Sequence, residues 1–67
     1  MITIKINGKD WEVHPEINII NLLSHFKIAP KVCAVEINSE IIPRAEYKNK
    51  ILKQGDQVEI IRLMAGG

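Results

Sequence analysis

Cysteine is nearly absent, with Cys33 standing alone among 67 residues. One thiol closes no internal disulfide, and no cysteine-rich zinc site can be built from it. Small secreted domains normally depend on such staples, so the expectation is a reducing compartment, the cytoplasm. Aromatic residues are scarce at 4%, and Trp11, Phe26 and Tyr47 supply them all. Charge of one sign is not in excess. Nine Lys plus Arg against eight Asp plus Glu leave +1, which provides neither a basic stripe for nucleic acid nor a polybasic cluster for an anionic membrane. Long apolar runs are missing too. The longest, Val32-Cys33-Ala34-Val35, is far below the roughly 20 residues of a membrane helix. The start, Met1-Ile2-Thr3-Ile4-Lys5-Ile6, alternates and is unlike a signal peptide. No nucleic-acid and no membrane partner is expected. So short a chain makes one domain with no cleft between lobes, so a self-contained enzyme is not expected.

What is present is a succession of short periodic segments. Ile2, Ile4 and Ile6 alternate with Thr3 and Lys5, the period of a half-buried strand. Asn7-Gly8 follows, and both residue types tolerate the positive φ of a type I′ hairpin turn. Lys9 to Val13 forms the returning strand, with Trp11 and Val13 on one face, and His14-Pro15 ends it. The period then becomes helical. Asn18 is suited to cap the helix, Ile19, Leu22, Leu23 and Phe26 form its apolar stripe, and Pro30 stops it after about ten residues. Val32 to Ile37 reads as a third strand with Cys33, Val35 and Ile37 inward. Asn38-Ser39 is a turn, Ile41-Ile42 a short fourth strand, and Pro43 its end. Arg44 to Lys53 is expected to be irregular or a single helical turn, anchored by Tyr47, Ile51 and Leu52. Gln54-Gly55-Asp56 turns into a last strand from Gln57 to Leu63. One helix laid across one face of a mixed sheet buries both stripes. With the last strand placed centrally beside the first, the expected class is α+β: a ubiquitin-like β-grasp of about five strands with one main helix.

The usual catalytic constellations are not assembled. His14 and His25 have no Cys or carboxylate at ligand-like spacing, and Gly8 and Gly55 are isolated turn residues rather than part of a phosphate-cradling loop. Cys33, on an inward strand position, behaves as a small hydrophobe. Lys48, Lys50 and Lys53, interleaved with apolar anchors and balanced by Glu46, read as a solvated face.

The C-terminus differs. The chain ends Leu63-Met64-Ala65-Gly66-Gly67, and glycine is a poor residue for finishing a packed strand. Two terminal glycines give a thin, flexible arm with an unhindered carboxylate, able to enter a channel where any Cβ would clash. A frayed end is the bland alternative. If Val58 and Ile60 point inward, alternation sends Glu59, Ile61 and Leu63 outward. Two apolar residues on the solvent face just before the arm suggest a docking patch, unless strand twist or a bulge tucks one of them in.

Val35-Glu36-Ile37-Asn38, Ile41-Ile42-Pro43-Arg44, Gly55-Asp56-Gln57-Val58-Glu59-Ile60 and Ala65-Gly66-Gly67 together resemble the ThiS family of sulfur carriers from the thiamine pathway. The resemblance spans essentially the whole chain. Family members often have Gly where Ser39 stands and Trp where Tyr47 stands. The resemblance implies a β-grasp domain over residues 1–64 and a flexible tail over 65–67. It implies that the Gly67 carboxylate is adenylated by a ThiF-type enzyme, becomes a thiocarboxylate, and gives its sulfur to thiazole synthase during thiazole formation. The sulfur would come from a cysteine desulfurase or a rhodanese-like donor. Gly66 would give clearance, Met64 and Ala65 would line the channel entrance, and Ile61 and Leu63 would dock, with Arg62 at the patch edge. No cofactor is expected on the chain itself, because ATP and magnesium belong to the activating partner. The protein would be a monomeric co-substrate rather than an enzyme. A carrier for another pathway such as molybdopterin synthesis, a modifier of lysine amines and a non-catalytic adaptor remain open alternatives.

Overall fold

The computed structural model describes residues 1–63. Strands β1 (Ile2–Ile6) and β2 (Lys9–Val13) pair antiparallel from Ile2 opposite Val13 to Ile6 opposite Lys9. Asn7 and Gly8 between them have φ of 49° and 85°, the left-handed pair that a type I′ turn demands. Helix α1 (Ile19–His25) starts at Asn18, whose side-chain oxygen accepts from the Asn21 N–H at 2.7 Å. It buries Ile19, Leu22 and Leu23 completely, each contributing about 1.5–3 kcal/mol by removal from water.

The helix is shorter than its apolar stripe suggests. It ends at His25 because Lys27 turns left-handed, at φ 59°. The Lys27 and Ile28 N–H groups then donate to the carbonyls of Ser24 and Leu23, a Schellman closure that satisfies the last carbonyls before Pro30 is reached. Pro30–Val32 forms a 3₁₀ turn, so β3 (Cys33–Ile37) begins one residue later than the apolar run.

A second tight turn, Asn38-Ser39 with φ of 53° and 73°, leads into β4 (Glu40–Ile41). Ile42 is thereby left just past the strand and turned into the core, its N–H bonded to the Val35 carbonyl. Ser39 is exposed and pays the left-handed penalty without a glycine's freedom. Ser39→Gly is expected to stabilise the domain by about 0.5–1 kcal/mol, read as a higher urea midpoint with an unchanged slope.

Residues 44–53 hold a 3₁₀ turn (Arg44–Glu46) and then close the core's edge with buried Tyr47 and Leu52. The Ile19 N–H donates to the Tyr47 carbonyl and the Leu52 N–H to the Ile17 carbonyl. Ile51, expected as a third anchor, is instead 39% exposed. Its backbone is committed to an isolated bridge with Asn18, which turns the side chain away from the core. Strand β5 (Gln57–Arg62) then runs parallel to β1 and antiparallel to β3, giving the order β2-β1-β5-β3-β4. The mixed five-stranded sheet with α1 on one face is the expected β-grasp. Among the described residues no helix is long and apolar enough to cross a membrane.

Candidate functional site

The last strand is the central one, so the chain leaves the sheet between two neighbours rather than from an edge. Two devices hold its final residues. On the β3 side, the Leu63 N–H donates to the Val32 carbonyl at 2.9 Å. On the β1 side, β5 outruns the hairpin, and the Asn7 carboxamide takes over as a substitute strand. Its oxygen accepts from the Ile60 N–H at 2.8 Å and its Nδ2 donates to the Ile60 carbonyl at 3.3 Å. The sequence announces Asn7 only as a turn residue. Its second role depends on β5 lying beside the turn, which no local pattern encodes.

Register decides what β5 presents. Ile37 opposite Val58, Val35 opposite Ile60 and Cys33 opposite Arg62 face α1; Ala34 opposite Ile61 and Glu36 opposite Glu59 face the open side. Ile61 is 43% exposed and Leu63, continuing the alternation, 57%. Ile41 pairs with Glu36 and lies diagonally across β3 from Ile61, 66% exposed. Ala34, Ile41, Ile61 and Leu63 therefore form an apolar area on the uncovered face, rimmed by Glu36 and Glu59. Ile41 was not singled out by sequence, where its neighbour Ile42 looked equivalent; the signal is its pairing with Glu36. Arg62, expected at the edge of this area, belongs to the opposite face. Alternation from Val58 and Ile60 already puts it there. Met64, Ala65, Gly66 and Gly67, expected to line the channel entrance and carry the chemistry, lie outside the described residues.

Cys33 is buried, its Sγ donating to the Pro30 carbonyl at 3.7 Å. Burial pushes its thiol up from the ordinary value, although Arg44 and Arg62, brought near by the fold, pull the other way. Burial also raises Tyr47, with Cys33 adding to the shift and the Val35 backbone and Arg44 opposing it. A protonated thiol is no nucleophile at neutral pH. The linkage has a definite sign: both groups keep their protons longer in the folded state. Stability contributed this way is complete below the unfolded thiol value of 9.0 and falls as pH rises above it, by up to about 1.4 kcal/mol per pH unit for each group. Urea midpoints should be level near neutrality and decline above that value, less steeply for Cys33→Ala. A wild-type midpoint unchanged up to the ordinary tyrosine value of 10.0 would contradict this.

Among the described residues no three His, Cys, Asp or Glu side chains gather as a metal site. What the site has is an apolar face and the held root of a short terminal segment.

Comparison with known proteins agrees with that geometry. The sequence model of the ThiS family matches residues 4–67. The chain is 32% identical to the sulfur carrier protein ThiS of Bacillus subtilis over 96% of its own length and 98% of that protein. It is 31% identical to a thiazole synthase of Paramagnetospirillum magneticum over 92% of its length, but spans only 19% of that larger protein. Among solved structures, a thiamine biosynthesis protein (ThiS) from Geobacter metallireducens superposes with a TM-score of 0.84 at 33% identity, covering 98% of this chain and all of the other.

Proposed function

The chain belongs to the ThiS family, and from that premise we propose that it is a sulfur carrier of thiamine biosynthesis whose Gly67 carboxylate bears the sulfur. The observation that carries this is the extent of the family match, which runs from β1 through Ala65-Gly66-Gly67 to residue 67. Residues 1–64 are the body by which partners recognise the carrier, and 65–67 the arm that reaches a reacting centre.

In this scheme a ThiF-type enzyme holds ATP and magnesium. A Gly67 carboxylate oxygen attacks the α-phosphorus and pyrophosphate leaves. The persulfide of a cysteine desulfurase or rhodanese-like donor then displaces AMP from the acyl carbon. A second thiol cleaves the new S–S bond, leaving a thiocarboxylate. Thiazole synthase accepts that sulfur, a partnership supported by the stretch resembling this chain within the Paramagnetospirillum thiazole synthase. The carrier is a co-substrate without a cofactor of its own. Its contribution is positional: Ile61 and Leu63 dock, Met64 and Ala65 line the entrance, and Gly66 passes where a Cβ would not.

Intact mass spectrometry tests the proposal. After incubation with the activating enzyme, MgATP and sulfide, the chain should gain the mass difference between sulfur and oxygen. A chain lacking Gly67 should gain none. If the full chain stays unmodified by an enzyme active on its own carrier, the carrier assignment is wrong.

A further inference from the structure

The helix covers only part of its face of the sheet. Seven helical residues span about 10 Å, whereas the six of β5 span about 20 Å. Beyond the C-terminal end of α1 the α1-side face of the sheet is left open, and a groove of about 430 Å³ lies there. Its floor is apolar, from Trp11, Phe26, Ile28 and Ile60, and its rim carries Lys9 and Arg62. Trp11 and Phe26 meet edge to face with ring centroids 5.1 Å apart, and Lys9 Nζ lies 5.3 Å from the Trp11 ring centre. Among the described residues no Asp or Glu lines the groove. The one ion pair among these residues, Lys5 with Asp10, is elsewhere, and neither rim cation has a carboxylate partner among them.

The groove sits at the root of the arm. Gly67 lies five chain steps beyond Arg62, an extended reach of about 17 Å. Any protein that draws Gly67 into a channel must bring the channel's rim against this end of the domain. Ile61 and Leu63 meet that rim from one face of the sheet. The groove meets it from the other.

We infer that the groove receives an acidic segment of thiazole synthase, one apolar side chain seated between Trp11, Phe26 and Ile60 and its flanking carboxylates paired with Lys9 and Arg62. This rests on the carrier assignment and adds to it a second contact, on the α1 side of the sheet. Charge complementarity selects the chemistry. Two cations over an apolar floor favour an anchor with acidic neighbours and disfavour a basic one.

The test uses the full chain and the thiazole synthase of the same organism. Trp11 is the only tryptophan, so 5-fluorotryptophan places a single fluorine in the groove. Complex formation should abolish the solvent-isotope shift of that fluorine. Lys9→Glu with Arg62→Glu should weaken the complex at least about tenfold and flatten its salt dependence. Lys48→Glu with Lys53→Glu, the same charge change on exposed positions away from the groove, should leave affinity within about twofold. Circular dichroism confirms that each variant is folded. If the complex forms and the isotope shift persists, or the two double variants bind alike, the groove is not a contact and the inference fails while the carrier assignment stands. If the unaltered chain does not bind thiazole synthase at all, the partnership itself is refuted and the inference falls with it.

Discussion

Gly66→Ala is expected to lower the rate of Gly67 adenylation about a hundredfold while leaving the melting temperature unchanged. The core closes within the described residues, around Ile4, Leu22, Leu23, Val35 and Val58, so a methyl group at position 66 removes no packing from it. The cost falls on the approach to the reacting phosphorus. A channel cut for a chain without side chains leaves no space for a Cβ, and a displacement of about 1 Å at the acyl carbon is enough for a hundredfold loss. Pyrophosphate release with saturating ATP measures it. Adenylation of the alanine variant at the normal rate would mean that glycine is not there for clearance. The variant also separates a carrier from an adaptor, since a partner that only binds the β-grasp surface is indifferent to position 66.

Replacing both Ile61 and Leu63 by Asp carries the other large effect, about a hundredfold weaker binding to the activating enzyme. Both side chains are about half exposed, so removing them costs the folded chain little. In a complex they are the apolar centre of the open face, where a few buried residues carry most of the affinity, at about 2 kcal/mol or more each. The aspartates also join Glu36 and Glu59, which already oppose each other on that face, and the added repulsion is expected to reach less than about 1 kcal/mol of stability. Titration calorimetry alongside a thermal melt distinguishes the outcomes. A complex of undiminished affinity would remove Ile61 and Leu63 from the docking surface.

How much of this was legible in advance depends on whether the cause is local. The Asn7-Gly8 hairpin, the inward face of Cys33, Val35 and Ile37, and the Asn18 cap follow from residue type and spacing. All stand as expected. The sequence puts the end of α1 at Pro30, the stronger punctuation mark, whereas a left-handed Lys27 stops the helix three residues sooner. Lysine carries no signal for that conformation. Ile51, an apolar residue between Tyr47 and Leu52, reads as a third anchor, and only the Asn18 bridge turns it outward. The outward projection of Ile61 and Leu63 needed nothing but alternation.

Local sequence carries the element order, the two faces of β1, β2, β3 and β5, and the Gly-Gly end on which the proposed chemistry rests. These are properties of a few consecutive residues, set by backbone sterics and a repeat of two or 3.6. Tertiary structure alone decided the rest. It placed β5 between β1 and β3, lent Asn7 to Ile60 as a strand, and brought Arg44 and Arg62 toward Cys33. It also left the groove bounded by Lys9, Phe26 and Arg62. Those residues are far apart in the chain and acquire a shared environment only when a short helix meets a longer sheet and fails to cover it.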